Sequence, residues 1–173
     1  MVVVREMLSP VLGPLPAIGT ADADVLRLRV WPADIDFNLH LNNARYLSIM
    51  DYGRIHLLAR GGLLRMILKE KWTPLVGAVW MTYRRPLPLF ARYELATRLV
   101  CWDKRWFYME QIFTGEDGLV AVGWVKGALH ESAGLVNPQR LMDKVQPGIV
   151  SPPIPEGLET LNDLTREKLQ AAR

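Results

Sequence analysis

Residues 43–60 carry an apolar stripe at helical spacing: Tyr46, Ile49, Met50, Gly53 and Leu57, widened by Leu47 and Leu58. A helix that is apolar around so much of its circumference has to be buried, so the rest of the chain has to enclose it. Asn42 or Asn43 supplies an N-cap, and Gly61-Gly62 a stop. A short second helical stretch is expected over 63–71. The long helix is the element around which any fold of this chain must be organised.

Strand patterns lie on both sides of it. Residues 25–31 alternate, with Leu26, Leu28 and Val30 on one face and Arg27 and Arg29 on the other, until Pro32 ends the run. Four more strands are expected at about 75–84, 93–103, 105–114 and 119–130. They are punctuated by Pro86-Leu87-Pro88 and by the tight Gly115-Glu116-Asp117-Gly118 turn. One strand, a long helix and then a run of strands is an α+β order. Around this domain, placed at 24–131, residues 1–23 read as an irregular arm with Pro10, Pro14 and Pro16. Residues 132–173 read as an irregular, proline-rich tail ending in a modest amphipathic helix over 158–172 (Leu158, Leu161, Leu164, Leu169) that docks on the domain or on a partner.

The composition removes several function classes. The chain has 173 residues and a net charge of +3, with no block of five like charges, so nothing argues for nucleic acid binding. No apolar run approaches the length of a membrane-spanning helix, and the N-terminus lacks a signal-like hydrophobic region. The lone Cys101 excludes an internal disulfide framework and fits a reducing cytoplasm. Its place in a strand pattern suggests a small buried hydrophobe rather than a nucleophile. Three scattered His and one Cys give no zinc spacing, so no metal is expected, and His56 and His130 are read as structural.

The polar loop ahead of the helix carries the chemistry. Over residues 36–46 the sequence runs Asp-Phe-Asn-Leu-His-Leu-Asn-Asn-Ala-Arg-Tyr. Asp36, Asn38 and His40 stand at alternate positions, and the helix N-terminus that follows offers free backbone N–H groups to an oxyanion. A carboxylate acting as base or nucleophile, with an amide and an imidazole near neutrality beside it, suits acyl transfer. The competing reading is a loop whose Asp and Asn cap the helix and whose His is incidental. Asp34 reads as a turn residue, and Asp51 as one half of an i,i+3 ion pair with Arg54 or else a second acid.

The string D-x-N-x-H-x-N-N-x-x-Y resembles the signature of hotdog-fold acyl thioesterases, of the 4-hydroxybenzoyl-CoA and acyl-ACP thioesterase kinds. A later segment is similar to the branch typified by thioesterase superfamily member six. It includes Tyr83-Arg84-Arg85-Pro86, Thr97, Trp102-Asp103 and Trp106-Phe107-Tyr108. The likeness covers about 24–131. It implies an antiparallel sheet wrapped around the long helix, and a homodimer or dimer of dimers with the site at a subunit boundary. It also implies hydrolysis of an acyl-CoA or acyl-ACP thioester within fatty acid metabolism. Asp36, ten residues before Tyr46, would be the catalytic carboxylate, with Asn38 orienting water or the carboxylate and His40 relaying a proton. Asn43 and Tyr46 would shape the substrate site, and Arg84 and Arg85 can meet the phosphates of CoA or phosphopantetheine. These carriers belong to the substrate, so no separate cofactor is expected.

Two features depart from the family pattern. Related thioesterases usually carry Gly where this chain has Leu39, and the second acid of the acyl-ACP enzymes has no clear counterpart. A non-catalytic acyl-thioester binder therefore stands as an alternative. An enoyl-thioester hydratase is a weaker one, since its Asp and His are five apart with an intervening Pro, whereas Asp36 and His40 are four apart. The Trp102, Trp106, Phe107 and Tyr108 group fits core, dimer interface or acyl channel equally.

Overall fold

The computed structural model describes residues 22–171 together with Pro16. Most of the expected N-terminal arm thus lies outside the described residues. Strand β1 (Asp24–Arg29) opens the sequence of elements and leads through a single 3-10 turn (Pro32–Asp34) to helix α1 (Asn43–Arg60). Helix α2 (Leu63–Lys69) follows, then strands β2 (Thr73–Tyr83), β3 (Arg92–Trp102), β4 (Phe107–Gly115) and β5 (Gly118–Glu131). The sheet order is β1-β3-β4-β5-β2, with every pair antiparallel. The short β6 (Gly134–Leu135) adds to β5.

This is the hotdog arrangement that the resemblance implies. Tyr46, Ile49 and Met50 of α1 share one core with Leu26 of β1, Leu95 of β3, Phe113 of β4 and Ala121 and Val125 of β5. The helix can sit this deep because Gly53 faces the sheet. A Cβ there would stand 2.6 Å from Thr97 Oγ1 and 2.8 Å from both Gln111 Nε2 and Leu95 Cδ2. Asn42 is the cap, its side chain accepting the Ala44 N–H at 2.8 Å, and Gly61 ends the helix.

Among the described residues, the polar side-chain atoms enclosed by this packing are bonded except Arg60 Nε. Gln111 is fully buried; its Nε2 donates to Met50 O and to Thr97 Oγ1, each at 3.0 Å, and its Oε1 accepts from Arg54 Nη1 at 2.8 Å. At the far end of α1 the buried Asp24 carboxylate holds His56 Nδ1 at 2.5 Å and Arg60 Nη1 at 2.9 Å. His56 is thus tied to the first strand, a structural placement. The pair couples the end of α1 to the start of β1.

The tail contains more order than the sequence reading gave it. Helix α3 (Pro138–Val145) has Asn137 as its cap and Pro138 at its first turn, and it buries Leu141 and Met142 against Ile67, Trp72, Trp102 and Leu129. Helix α4 (Glu156–Ala171) lies on the outer face of the sheet, where Leu158 packs with Cys101 and Tyr108. Lys126 Nζ donates to Asn162 Oδ1 at 2.7 Å, Asn162 Nδ2 donates to the Tyr108 hydroxyl at 3.1 Å, and that hydroxyl donates to Asp103 Oδ2 at 2.9 Å. The expected docking stripe holds at Leu158 and Leu161, whereas Leu164 and Leu169 are exposed. Among the described residues, no helix is long and apolar enough to cross a membrane.

Candidate active site

The motif loop is a tight hairpin standing between β1 and α1. The Leu39 N–H donates to Asp36 O and the Asp36 N–H to His40 O, both at 3.0 Å, and Leu39 takes φ 61°. A turn followed by a left-handed residue is a standard three-residue hairpin closure, and glycine adopts that conformation without steric cost. Leu39 keeps that conformation and leaves its side chain exposed.

The loop is clamped to the helix behind it. Asp34 is buried; its Oδ1 accepts from Arg45 Nε at 2.9 Å and Nη2 at 2.6 Å, and its Oδ2 accepts the Trp31 N–H at 3.2 Å. The Asn42 N–H donates to Asp34 O and the Leu41 N–H to Leu87 O, so both strands of the hairpin are held. Asp34 is therefore the anchor and Asp36 the half-buried residue at the turn. Asp36 Oδ1 accepts the Asn38 N–H at 2.8 Å, which orients the carboxylate. The Asn38 amide and the His40 ring have no hydrogen-bond partner among the described residues. All three side chains thus stand on one hairpin with no bond joining them.

The remaining expected site residues divide. Asn43 begins α1, exposed, and its carbonyl accepts the Tyr83 hydroxyl at 3.2 Å. Tyr46 lies beneath, 2% exposed, edge-on to Tyr83 at 5.2 Å and to Phe113 at 4.9 Å; burial pushes its hydroxyl up to about 12. Arg84 and Arg85 are exposed beyond the end of β2, their backbone N–H groups both donating to Val120 O. Arg85 also donates to Asp117 O, while Arg84 has no side-chain partner among the described residues.

Two features of this region were not found by sequence reasoning. Asp51 and Arg54 form the expected i,i+3 ion pair, but Arg54 also reaches Gln111 inside the fold. Burial pulls its guanidinium below the ordinary arginine value, which the Asp51 carboxylate partly offsets. The signal was Gln111 itself, a polar residue among Phe107, Met109 and Phe113 on the inward face of β4. The second feature is an open-sided cavity of about 510 Å³ beside this pair, lined by Pro16, α1, α2, α3 and the sheet. Asn43 and Asp51 are eight residues apart on one helix, about 12 Å along its axis. In one chain, then, the motif loop and the cavity stand at different ends of α1.

Comparison with known proteins follows the same lines. The family profile described as the thioesterase-like superfamily matches residues 30–158. Protein THEM6 from Danio rerio is 43% identical over 98 residues, which is 56% of this chain and 48% of the relative. The chain spans about half the length of curated relatives that it matches. Among solved structures, a probable thioesterase from Bartonella henselae is 26% identical with a TM-score of 0.61, covering 66% of this chain and 98% of that one. A Staphylococcus aureus protein solved in complex with CoA has the same fold, at 19% identity and a TM-score of 0.63, covering 82% of this chain and 94% of that one.

Proposed function

Because this chain belongs to the thioesterase-like superfamily, we propose that it hydrolyses an acyl thioester to a free acid and a thiol, with Asp36 as the group that drives the attack. The observation that carries this reading is the Asp36 carboxylate, half-buried at the turn of a clamped hairpin and aimed by the Asn38 N–H. As general base it takes a proton from water whose oxygen adds to the carbonyl carbon; the C–S bond then breaks and the thiolate leaves, taking up a proton. As nucleophile it would form a mixed anhydride that water later opens. His40, on the same hairpin, would relay the proton, and Asn38 would hold the water. Of the first turn of α1, the Ala44 and Arg45 N–H groups are taken by Asn42, leaving the Asn43 N–H to meet the oxyanion.

A CoA-type thioester is the first substrate to test, since a relative of the same fold binds CoA. Arg84 and Arg85, exposed at the strand end that Tyr83 ties to Asn43, offer charge to its phosphates. An acyl-carrier protein presents the same phosphopantetheine arm. The lone buried Cys101 supports a reducing, cytoplasmic setting for this work.

A homodimer belongs to the same proposal. Strand β2 pairs only with β5, and most of its eleven residues are exposed, so a long strand edge stands open among the described residues. Pairing β2 with its own copy about a two-fold axis is antiparallel. It would bring the Tyr83 end of one strand, beside the motif loop, to the Thr73–Val76 end of the other, beside the cavity. That joins what one chain holds apart.

Thiol release from a panel of acyl-CoA and acyl-carrier thioesters tests the activity. Turnover on either supports hydrolysis. Tight binding of acyl-CoA without any turnover would replace this reading with a non-catalytic binder.

A further inference from the structure

The cavity beside Arg54 has a lining that discriminates between ligands. Leu57 and Leu58 of α1, Ile67 of α2, and Leu99 and Met109 of the sheet wall it, and Leu141 and Met142 of α3 close it. Among the described residues that line it, only Asp51 and Arg54 are polar, and both are engaged, Arg54 with Asp51 and with Gln111. Ile55, Leu75 and Val76, each at least two-fifths exposed, give it an apolar rim on the β2 side.

A deep apolar space with an apolar rim binds hydrocarbon. Its polar side chains are confined to Asp51, which lies largely in solvent, and Arg54, held by Asp51 and Gln111, so a hydroxylated aromatic acyl group lying among the leucine and methionine side chains would bury a polar atom without a partner.

We propose that this cavity receives the acyl group, that the group is a straight aliphatic chain, and that α3 forms the floor that limits its length. The inference rests on the thioesterase reading for the link between cavity and reaction, and on the lining alone for the ligand class. A methylene is close in size to a water, whose share of liquid volume is about 30 Å³, so a space of about 510 Å³ holds at most roughly seventeen chain carbons. Helix α3 lies outside the strand and helix pattern of the central domain, so chain length is set by an element added to the fold rather than by the fold itself.

The test is kcat/KM on straight-chain saturated acyl-CoAs of four to eighteen carbons, beside a hydroxybenzoyl thioester. It uses the full chain, Met142→Trp and Leu141→Ala, with thermal melts to establish that each variant folds. Specificity is expected to rise by up to about fourfold per methylene and then level off at the length the cavity holds. Met142→Trp is expected to move that break to shorter chains and Leu141→Ala to longer ones. A flat or falling profile, a preference for the hydroxylated aromatic, or a break that neither variant moves would overturn the inference while leaving the hydrolase standing. If no thioester is turned over, binding of cis-parinaric acid decides. Saturable binding displaced by saturated fatty acids and weakened in Met142→Trp upholds the pocket, and no binding overturns it.

Discussion

The Asp36 carboxylate and the Asn38 backbone N–H stand 2.8 Å apart, so the proposed catalytic group is aimed by the second residue of its own turn. The loop therefore carries its orientation locally, and Asp34, two residues earlier, carries the anchoring to Arg45. Two acids separated by one residue have separate work. The division follows from exposure: Asp34 is buried and fully engaged, whereas Asp36 keeps carboxylate oxygen available at the turn.

Leu39 holds a backbone conformation that suits glycine. An L-residue in that region costs roughly 1–2 kcal/mol, and glycine gives back ~0.5–1 kcal/mol through its larger unfolded-state entropy. Leu39→Gly is expected to raise stability by up to about 1 kcal/mol and to retain activity. A thermal melt and a turnover assay check this. A lower Tm would mean that the Leu39 side chain contributes packing that outweighs its backbone strain.

Gly53 has the opposite balance. Alanine would gain about 1 kcal/mol of helix propensity, but its Cβ would press on Thr97, Gln111 and Leu95. Overpacking of this kind costs typically 1–3 kcal/mol, and here it also disturbs the hydrogen bonds of Gln111. Gly53→Ala is expected to unfold at lower denaturant concentration than the parent. An unchanged midpoint would show that α1 can lift off the sheet at little cost.

The long helix was legible because several signals agreed: an apolar stripe, an asparagine cap and a double-glycine stop, giving the observed Asn43–Arg60. The strands were legible by alternation, with ends displaced by a residue or two; β2 starts early, at Thr73, because Pro74 is tolerated on a sheet edge. Helix α3 was hidden among prolines, although Asn137-Pro138 is itself a cap followed by a first-turn proline. The aromatic group at 102–108 could not be divided in advance because strand pairing decides it. Phe107 lines the cavity, Tyr108 faces α4, and Trp106 lies under Lys126 at 4.8 Å. The cavity was invisible because its lining is gathered from Pro16 to Met142, and most of its residues alone read as ordinary core.

Cys101 is buried beside Tyr108, and burial pushes its thiol up to about 11. Only about 0.1% of such a thiol is thiolate at pH 8, against tens of per cent for a free cysteine whose pKa is about 8.5. The folded protein is expected to resist iodoacetamide at pH 8 and to take one label per chain once denatured. Since the folded value lies above the unfolded one, this group favours the folded state below the unfolded value, and that contribution is lost as pH rises through about 11. Fast labelling of the native protein would contradict the buried placement.

The open edge of β2 predicts association. Light scattering is expected to give at least twice the 19.7 kDa mass of one chain at working concentrations. A monomer at every concentration, still active, would show that one chain completes the site without a second.

The most direct test of the central claim is thiol release by Asp36→Asn, measured on whichever thioester the parent protein turns over. Asparagine is close in size and can still accept the Asn38 N–H, so the hairpin should keep its shape and the Tm its value. Loss of a general base typically costs 10²–10⁴-fold, and a fall of at least roughly a hundredfold in kcat is the predicted result. Turnover within a few-fold of the parent would remove Asp36 from the mechanism and leave His40 or Asp51 to account for it.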